Sequence, residues 1–291
     1  MDDKKFIAID IGGSATKYAV LDLKLNKYDF GKVTSHANDI DKLYKEMKDL
    51  ITSLQAKFNI KAIGISSPGG VDPRTKYIYG ASALPCIHEN DWVLRLEKET
   101  GLEIAINNDS NCASLAEVMF GNASEYNNVL CTVIGTGVGG TLIVDKNVLV
   151  GSHYQCGEFG FMASRSGDKL RSVSATCSTA ALVSRVNKQV IVQNGLEVFK
   201  LLDQGNEIVI NEVKDYAYDL ALFYFNLVHA FDPDIVLVGG AISARLDLIQ
   251  MIRDQYKVIQ SKYDIDTIDL NLDVCKFGND SNLFGAIGVY L

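Results

Sequence analysis

Apolar residues fall into two rhythms along this chain. Short continuous runs predict buried strands: KFIAIDI at 5–11, KAIGIS at 61–66, LEIAIN at 102–107, NVLCTVI at 128–134 and DIVLVGG at 234–240. Spacings of three and four predict helices with one apolar face. Ile40, Leu43, Met47, Leu50, Ile51, Leu54 and Phe58 place one over 38–58. Others are predicted from an Asp91 cap to Thr100 with Gly101 as the stop, from Ser110 to Phe120, over 178–188, 207–231 and 244–261, and from Ser281 to Leu291. The 207–231 segment, with Val213, Leu220, Phe223 and Leu227, is apolar enough to be a central helix. TKYAVLDL (16–23), TLIVDKNVLV (141–150) and residues 266–275 read as further strands.

Strands alternating with helices predict a mixed α/β architecture. Up to Phe120 the order is β-β-α-β-loop-α-β-α, and then the pattern restarts. FIAIDIGGSATKYAVLDL and LCTVIGTGVGGTLIVDK both read strand, glycine turn, strand. This is a weak internal duplication, which shared hairpin chemistry could also produce without common ancestry.

A length of 291 residues suits one large or two medium domains, and 47% apolar with 22% charged residues is a globular composition. The net charge of −8 argues against nucleic acid as the main partner. No window reaches the ~18 apolar residues of a membrane helix. The opening MDDKK lacks a signal-peptide layout, so the expectation is a cytoplasmic protein with no membrane partner. Six cysteines and four histidines show no metal-ligand spacing, and the cysteines read as buried free thiols.

Five segments carry candidate chemistry. Asp10-Ile11-Gly12-Gly13-Ser14 puts an acid at a strand end before two glycines; such a turn brings backbone N–H groups to a phosphate, or is a plain hairpin. Gly135-Thr136-Gly137-Val138-Gly139-Gly140 matches GxGxxG, but the glycines open a β-branched strand instead of a helix, which speaks against a dinucleotide fold and for a second phosphate hairpin. Asn107-Asn108-Asp109-Ser110-Asn111 holds more polar groups than a helix cap needs; Asp109 or Ser110 can cap, and Asp109 can be a general base. Glu158 in GEFGFM can accept hydrogen bonds from sugar hydroxyls, or simply face solvent. Gly239-Gly240 closes a strand where a flat ring could approach the backbone, or where a helix packs closely.

The order of these segments resembles the ROK family (repressors, open reading frames and kinases) over essentially the whole chain. DIGGSATK and IGTGVGGTLIV look like its two phosphate loops, NNDSNCASLAE is similar to its catalytic ENDANxxxxAE, GEFGFM resembles its sugar-binding GExGHM, and PDIVLVGGAIS looks like its adenosine-contacting segment. The resemblance implies a two-lobed actin/hexokinase/Hsp70-like (ribonuclease H-like) α/β fold with a central cleft, the smaller lobe at 1–112 plus 276–291 and the larger at 113–275. It implies an ATP-dependent hexose kinase acting on a sugar hydroxyl, usually the 6-OH, with Mg2+ and commonly as a homodimer. Asp109 is then the base, and Gly69, Gly70, Asn108, Glu158 and Phe161 face the sugar. Asp10 assists Mg2+ through water, Gly12, Gly13, Thr136 and Gly137 face ATP phosphates, and Gly239 and Gly240 approach adenosine.

Three departures qualify this resemblance. The zinc motif CxCGxxGCxE is replaced by KLRSVSATCSTAAL (169–182), with Cys177 alone, so no zinc is expected. Phe161 stands where the family has a zinc-binding histidine, and Ala83 where it has a sugar-loop asparagine. An aromatic at the histidine position is a feature of zinc-less kinases of N-acetylmannosamine and of β-glucosides, where Phe161 could pack on an N-acetyl methyl or an aglycone. The rival readings are an inactive sugar-sensing protein, a repressor, an NAD oxidoreductase and an Hsp70- or actin-like protein. With the first strand predicted to begin by Phe6, a repressor's N-terminal helix-turn-helix is not expected.

Overall fold

A computed structural model of the chain describes residues 4–166 and 169–291, so the MDD opening lies outside the described residues. Two compact units emerge. Among the described residues, the first contains 4–124, 150–155 and 277–291; the second contains 125–149, 156–166 and 169–276.

In chain order the first unit holds β1 (Lys5–Ile11), β2 (Ala15–Leu21), β3 (Lys27–Thr34), α1 (Ile40–Gln55), β4 (Ile60–Ser67), β5 (Gly70–Asp72), β6 (Tyr77–Tyr79), α2 (Trp92–Thr100), β7 (Glu103–Asn108) and α3 (Asp109–Phe120). The second unit holds β8 (Val129–Ile134), β9 (Val138–Val144), β10 (Asn147–Val148), β11 (Ala163–Ser166), β12 (Lys169–Ser172), α4 (Ser174–Cys177), α5 (Thr179–Val186), α6 (Gly195–Asp203), α7 (Glu207–Phe231), β13 (Ile235–Gly239), α8 (Leu246–Tyr263) and β14 (Leu272–Val274). α9 (Ser281–Gly288) returns to the first unit. No helix among the described residues is long and apolar enough to cross a membrane.

Each unit carries a five-stranded sheet of the same topology, β3-β2-β1-β4-β7 in the first and β10-β9-β8-β13-β14 in the second. In both, an antiparallel hairpin is followed by two parallel strands. The repeated strand–glycine–strand pattern is therefore repeated architecture. Parallel strands covered on both faces need apolar residues at every position, which explains the continuous runs. Ile7 and Ile9 face Leu43, Met47 and Trp92 on one side of the first sheet; Phe6 and Ala8 face Ala116, Leu283 and Ile287 on the other. In the second unit α7 supplies the core, with Tyr216 and Tyr224 fully buried and bonded to the Cys177 carbonyl and the Thr132 hydroxyl, each at 2.8 Å.

Several elements differ from the sequence reading. β3 was not visible because it is an edge strand whose residues alternate between exposed and half-buried; pairing with β2 creates it. Strand structure within 266–275 is confined to β14, where β13 offers its edge. The second hairpin strand begins at Val138, taking two glycines into the ladder. Asp91 stands at the helix start without a side-chain cap, and Asn90 Oδ1 accepts from the Trp92 N–H at 3.2 Å instead. The expected division at 112/113 falls inside α3, which lies wholly in the first unit because it packs on α9. There a Cβ on Gly285 would fall on the Cys112 carbonyl. Glu117 secures the same region: its buried carboxylate accepts from the Asn122 and Phe277 N–H groups at 3.1 and 2.8 Å.

The turn after β5 is organised by buried Asp72, which accepts from the Arg74 N–H at 3.0 Å and the Thr75 hydroxyl at 2.9 Å. Burial alone would raise its carboxyl, but hydrogen bonds from the Tyr154 hydroxyl, Arg74 and Thr75 outweigh it and lower the pKa to about 2. A carboxyl held below its unfolded value stabilises the fold above that value and loses its contribution as pH falls through the folded one. The Tm difference between wild type and Asp72→Asn is therefore expected to be largest above about pH 5 and to close towards pH 2. A difference independent of pH would refute this role.

Candidate active site

In the first unit the carboxyl ends of β1, β4 and β7 gather the predicted residues, as parallel sheets do. Asp10 is the penultimate residue of β1 and is buried. Its Oδ1 accepts from the Ser66 hydroxyl and from Asn282 Nδ2, each at 3.0 Å, and Oδ2 lies 3.5 Å from Lys17 Nζ. Gly12 and Gly13 follow in the β1–β2 turn. The Gly12 carbonyl accepts from the Ser35 hydroxyl at 2.6 Å, and a Cβ on Gly13 would lie 3.0 Å from Ala83.

Asn108, not Asp109 or Ser110, caps α3. Its Oδ1 accepts from the Ser110 N–H at 2.9 Å, and its Nδ2 donates to the Gly69 carbonyl at 2.9 Å. The same side chain hydrogen-bonds the Asp109 carboxylate, and one amide thus joins the helix start to the Gly69-Gly70 turn. This frees Asp109, at the first position of α3, from the capping duty the sequence left open. Its carboxyl is raised above the ordinary range, first by burial and then by the Asp10 charge, against the lowering effect of the Ser110 N–H at 2.7 Å. A carboxylate so destabilised is a better proton acceptor, which is what a base for a hydroxyl requires.

In the second unit the glycine turn joins β8 to β9 as a hairpin. The Gly135 N–H bonds within the turn to the Gly137 carbonyl at 2.9 Å, and the Val138 N–H donates to the Ser174 hydroxyl at 3.0 Å. Among the described residues no hydrogen bond engages the N–H of Thr136 or Gly137, which leaves two donors for phosphate oxygens. Gly135 and Thr136 open onto a groove of about 560 Å3, lined also by Thr179, Asn187, Gly195 and Ala241. Gly239 ends β13, and Gly240 turns with φ +88°, where a Cβ would strike the Ile134 carbonyl. The backbone there is bare for steric reasons, and it leads straight into Ala241 of the groove.

The GEFGFM loop packs on the same hairpin: Phe159 is buried against Phe223 at 6.2 Å, and a Cβ on Gly157 would meet the Gly140 carbonyl. Glu158 is exposed. Phe161 is 81% exposed and does not line the groove. The residues that replace the zinc motif form β12, α4 and the start of α5, with Cys177 buried and its thiol pushed up to about 12 by burial.

Among the described residues no three His, Cys, Asp or Glu side chains gather into a metal cage. Asp10 beside a polar strand end fits a hydrated Mg2+ that arrives with nucleotide phosphates, a cation that keeps several waters and uses one or two carboxylates. Sequence reasoning missed Ser66, Lys17 and Asn282 around Asp10. Ser66 ends a predicted strand and could have been noticed; Asn282, 272 positions away, carried no signal.

Known proteins resemble this chain over nearly its whole length. A beta-glucoside kinase from Klebsiella pneumoniae is 29% identical over 291 aligned residues, covering 97% of this chain and 95% of that protein. The crystal structure of a ROK family protein from Streptococcus pneumoniae in complex with sucrose superposes with a TM-score of 0.88 at 28% identity, covering 99% of this chain and 98% of the other. A Listeria monocytogenes protein described as a candidate N-acetylmannosamine kinase gives a TM-score of 0.80 at 27% identity, with 97% of each chain covered. The fold is thus the actin/hexokinase-like α/β fold of these proteins. The ROK family profile matches residues 6–290, and the chain belongs to the ROK family.

Proposed function

We propose that this protein transfers the γ-phosphoryl group of ATP to the 6-hydroxyl of a β-glucoside. That the chain is a sugar kinase follows from its family and its kinase relatives; the donor, the acceptor and the residue roles are the proposal. The observation that carries it is Asp109, freed from capping by Asn108 and held above the ordinary carboxylate range.

In this reading Asp109 takes the proton of the sugar hydroxyl as its oxygen bonds to the γ-phosphorus and the bond to ADP breaks. Asn108 and the Gly69-Gly70 turn orient the sugar, and Glu158 and Phe161 are assigned to its hydroxyls and its C1/C2 side. Gly12, Gly13, Thr136 and Gly137 are assigned to the phosphates, and Gly239-Gly240 with the neighbouring groove to adenosine. Mg2+, held by Asp10 through water, would neutralise phosphate charge. Such transfer depends on positioning and charge stabilisation more than on covalent chemistry. The enzyme is read as cytoplasmic, and as a homodimer because the family resemblance implies one.

N-Acetylmannosamine is the second reading for the acceptor, favoured by the Listeria relative and by the aromatic Phe161. A coupled ADP-release assay with Mg-ATP and glucose, cellobiose, N-acetylmannosamine and N-acetylglucosamine tests both. The β-glucoside is expected to give the highest kcat/KM. A preference for N-acetylmannosamine would transfer Phe161 to an acetamide. Sugar binding without turnover of any would make the chain a sensor.

A further inference from the structure

Two tyrosines outside every motif above flank the Gly69-Gly70 turn. We propose that Tyr79 and Tyr154 form a stacking platform for the second ring of a β-glucoside, the group carried on its anomeric oxygen. This rests on the reading of Asp109 and the Gly69-Gly70 turn as the sugar site.

Three observations support it. First, the two rings are parallel within 3°, with centroids 5.4 Å apart, and Tyr77 backs Tyr79 at 4.8 Å. Second, both residues touch the turn. A Cβ on Gly70 would lie 3.5 Å from Tyr154 Cβ and 3.3 Å from Gln155 Nε2; one on Gly69 would lie 3.0 Å from the Tyr79 carbonyl oxygen. Asn108 ties that turn to the start of α3, so the path from the base runs Asp109, Asn108, Gly69, Gly70, then the tyrosines. Third, Tyr154 is held at φ +56°, a conformation bulky residues avoid. Its hydroxyl is fixed by hydrogen bonds with Asp72 and Arg74. Strain kept in place by such bonds is common where a side chain must be presented to a ligand.

Tyr79 nevertheless remains 40% exposed, a large aromatic left open beside polar groups. That combination of apolar face and polar rim suits a sugar ring. A β-linked glucoside has equatorial substituents throughout, so its two rings lie extended and each shows axial C–H groups to an aromatic face. An α-linkage leaves the first ring axially and turns the second away. The platform therefore favours β- over α-linked disaccharides, and it acts on KM more than on kcat because it lies at the end of the substrate remote from the transferred phosphoryl group.

The test is steady-state kinetics of the full-length enzyme with Mg-ATP and glucose, cellobiose or maltose. The variants are Tyr79→Leu, Tyr154→Ala, Tyr154→Phe and, for comparison, Phe161→Ala. The expected result is a fall of about tenfold in the cellobiose-to-glucose ratio of kcat/KM for Tyr79→Leu and Tyr154→Ala, carried by KM, and a smaller fall in Tyr154→Phe, which keeps the ring but loses the hydroxyl bonds to Asp72 and Arg74 that hold it. Tyr79→Leu changes a half-exposed position and keeps the test open if Tyr154→Ala does not fold. A ratio unchanged in Tyr79→Leu, or lowered by Phe161→Ala alone, overturns the platform while leaving the kinase reading intact. A wild-type enzyme that phosphorylates glucose but not cellobiose does the same. A wild-type enzyme that phosphorylates no sugar overturns the kinase reading itself.

Discussion

Asp109→Ala and Asp109→Asn are expected to lower kcat for sugar phosphorylation by about 10³-fold, the middle of the range for loss of a positioned base. Folding should be spared, because the Ser110 N–H that Asp109 accepts at 2.7 Å also has Asn108 Oδ1 at 2.9 Å. An unchanged Tm together with near-complete loss of turnover is the predicted pair of results. The pH profile gives an independent check. A base at Asp109 would work only as a carboxylate, and burial and the Asp10 charge raise its carboxyl. The rate should therefore fall on the acid side at a pH above the ordinary carboxylate range, and that limb should be absent from the residual activity of Asp109→Asn. Turnover close to wild type in either variant would refute the base assignment.

Gly285→Ala is expected to be among the most destabilising single-methyl changes in the first unit. The added Cβ would fall on the Cys112 carbonyl, and that oxygen is backbone, so α3 or α9 must move. Overpacking of this kind costs about 3 kcal/mol or more where neither side can yield. The gain in helix propensity from glycine to alanine returns only about 1 kcal/mol. Separation of α3 from α9 would also disturb Asp109 at one helix start and Asn282 at the other, so activity should fall with stability. Gly288→Ala is the control: its Cβ would meet Met119 Cγ at 3.2 Å, a flexible side chain that can turn aside. Thermal unfolding of the two variants should place Gly285→Ala on the order of 10 °C below wild type and Gly288→Ala close to it. Equal Tm values would show that the two helices have room the structure does not suggest.

How much of this was legible in the sequence depends on how local each feature is. Continuous apolar runs gave β1, β4, β7, β8 and β13, because a strand buried on both faces writes its environment into adjacent residues. The two glycine hairpins were visible for the same reason, and β-branched residues after GTGVGG were enough to set aside a dinucleotide turn. The periodicities of α1 and α7 were plain. Asp109, Glu158 and the two glycine turns were singled out as site candidates by ordered motifs and the family they resemble.

Tertiary structure decided what depends on partners distant in sequence. β3 and β14 exist because a neighbouring strand offers an edge, so their own residues carried little signal. The choice of Asn108 as cap was undecidable among five adjacent polar residues until the Gly69 carbonyl took its Nδ2. Asn282 reached Asp10, and Tyr154 reached Tyr79, only through the fold of the first unit. Glu117, which looked like part of a catalytic segment, spends both oxygens on backbone N–H groups. Hydrophobic periodicity is a property of a short stretch of chain and survives in the sequence. The partner of a hydrogen bond or a stacked ring is a property of three-dimensional proximity, and here that proximity was set by the packing of α9 and by the return of residues 150–155 to the first unit.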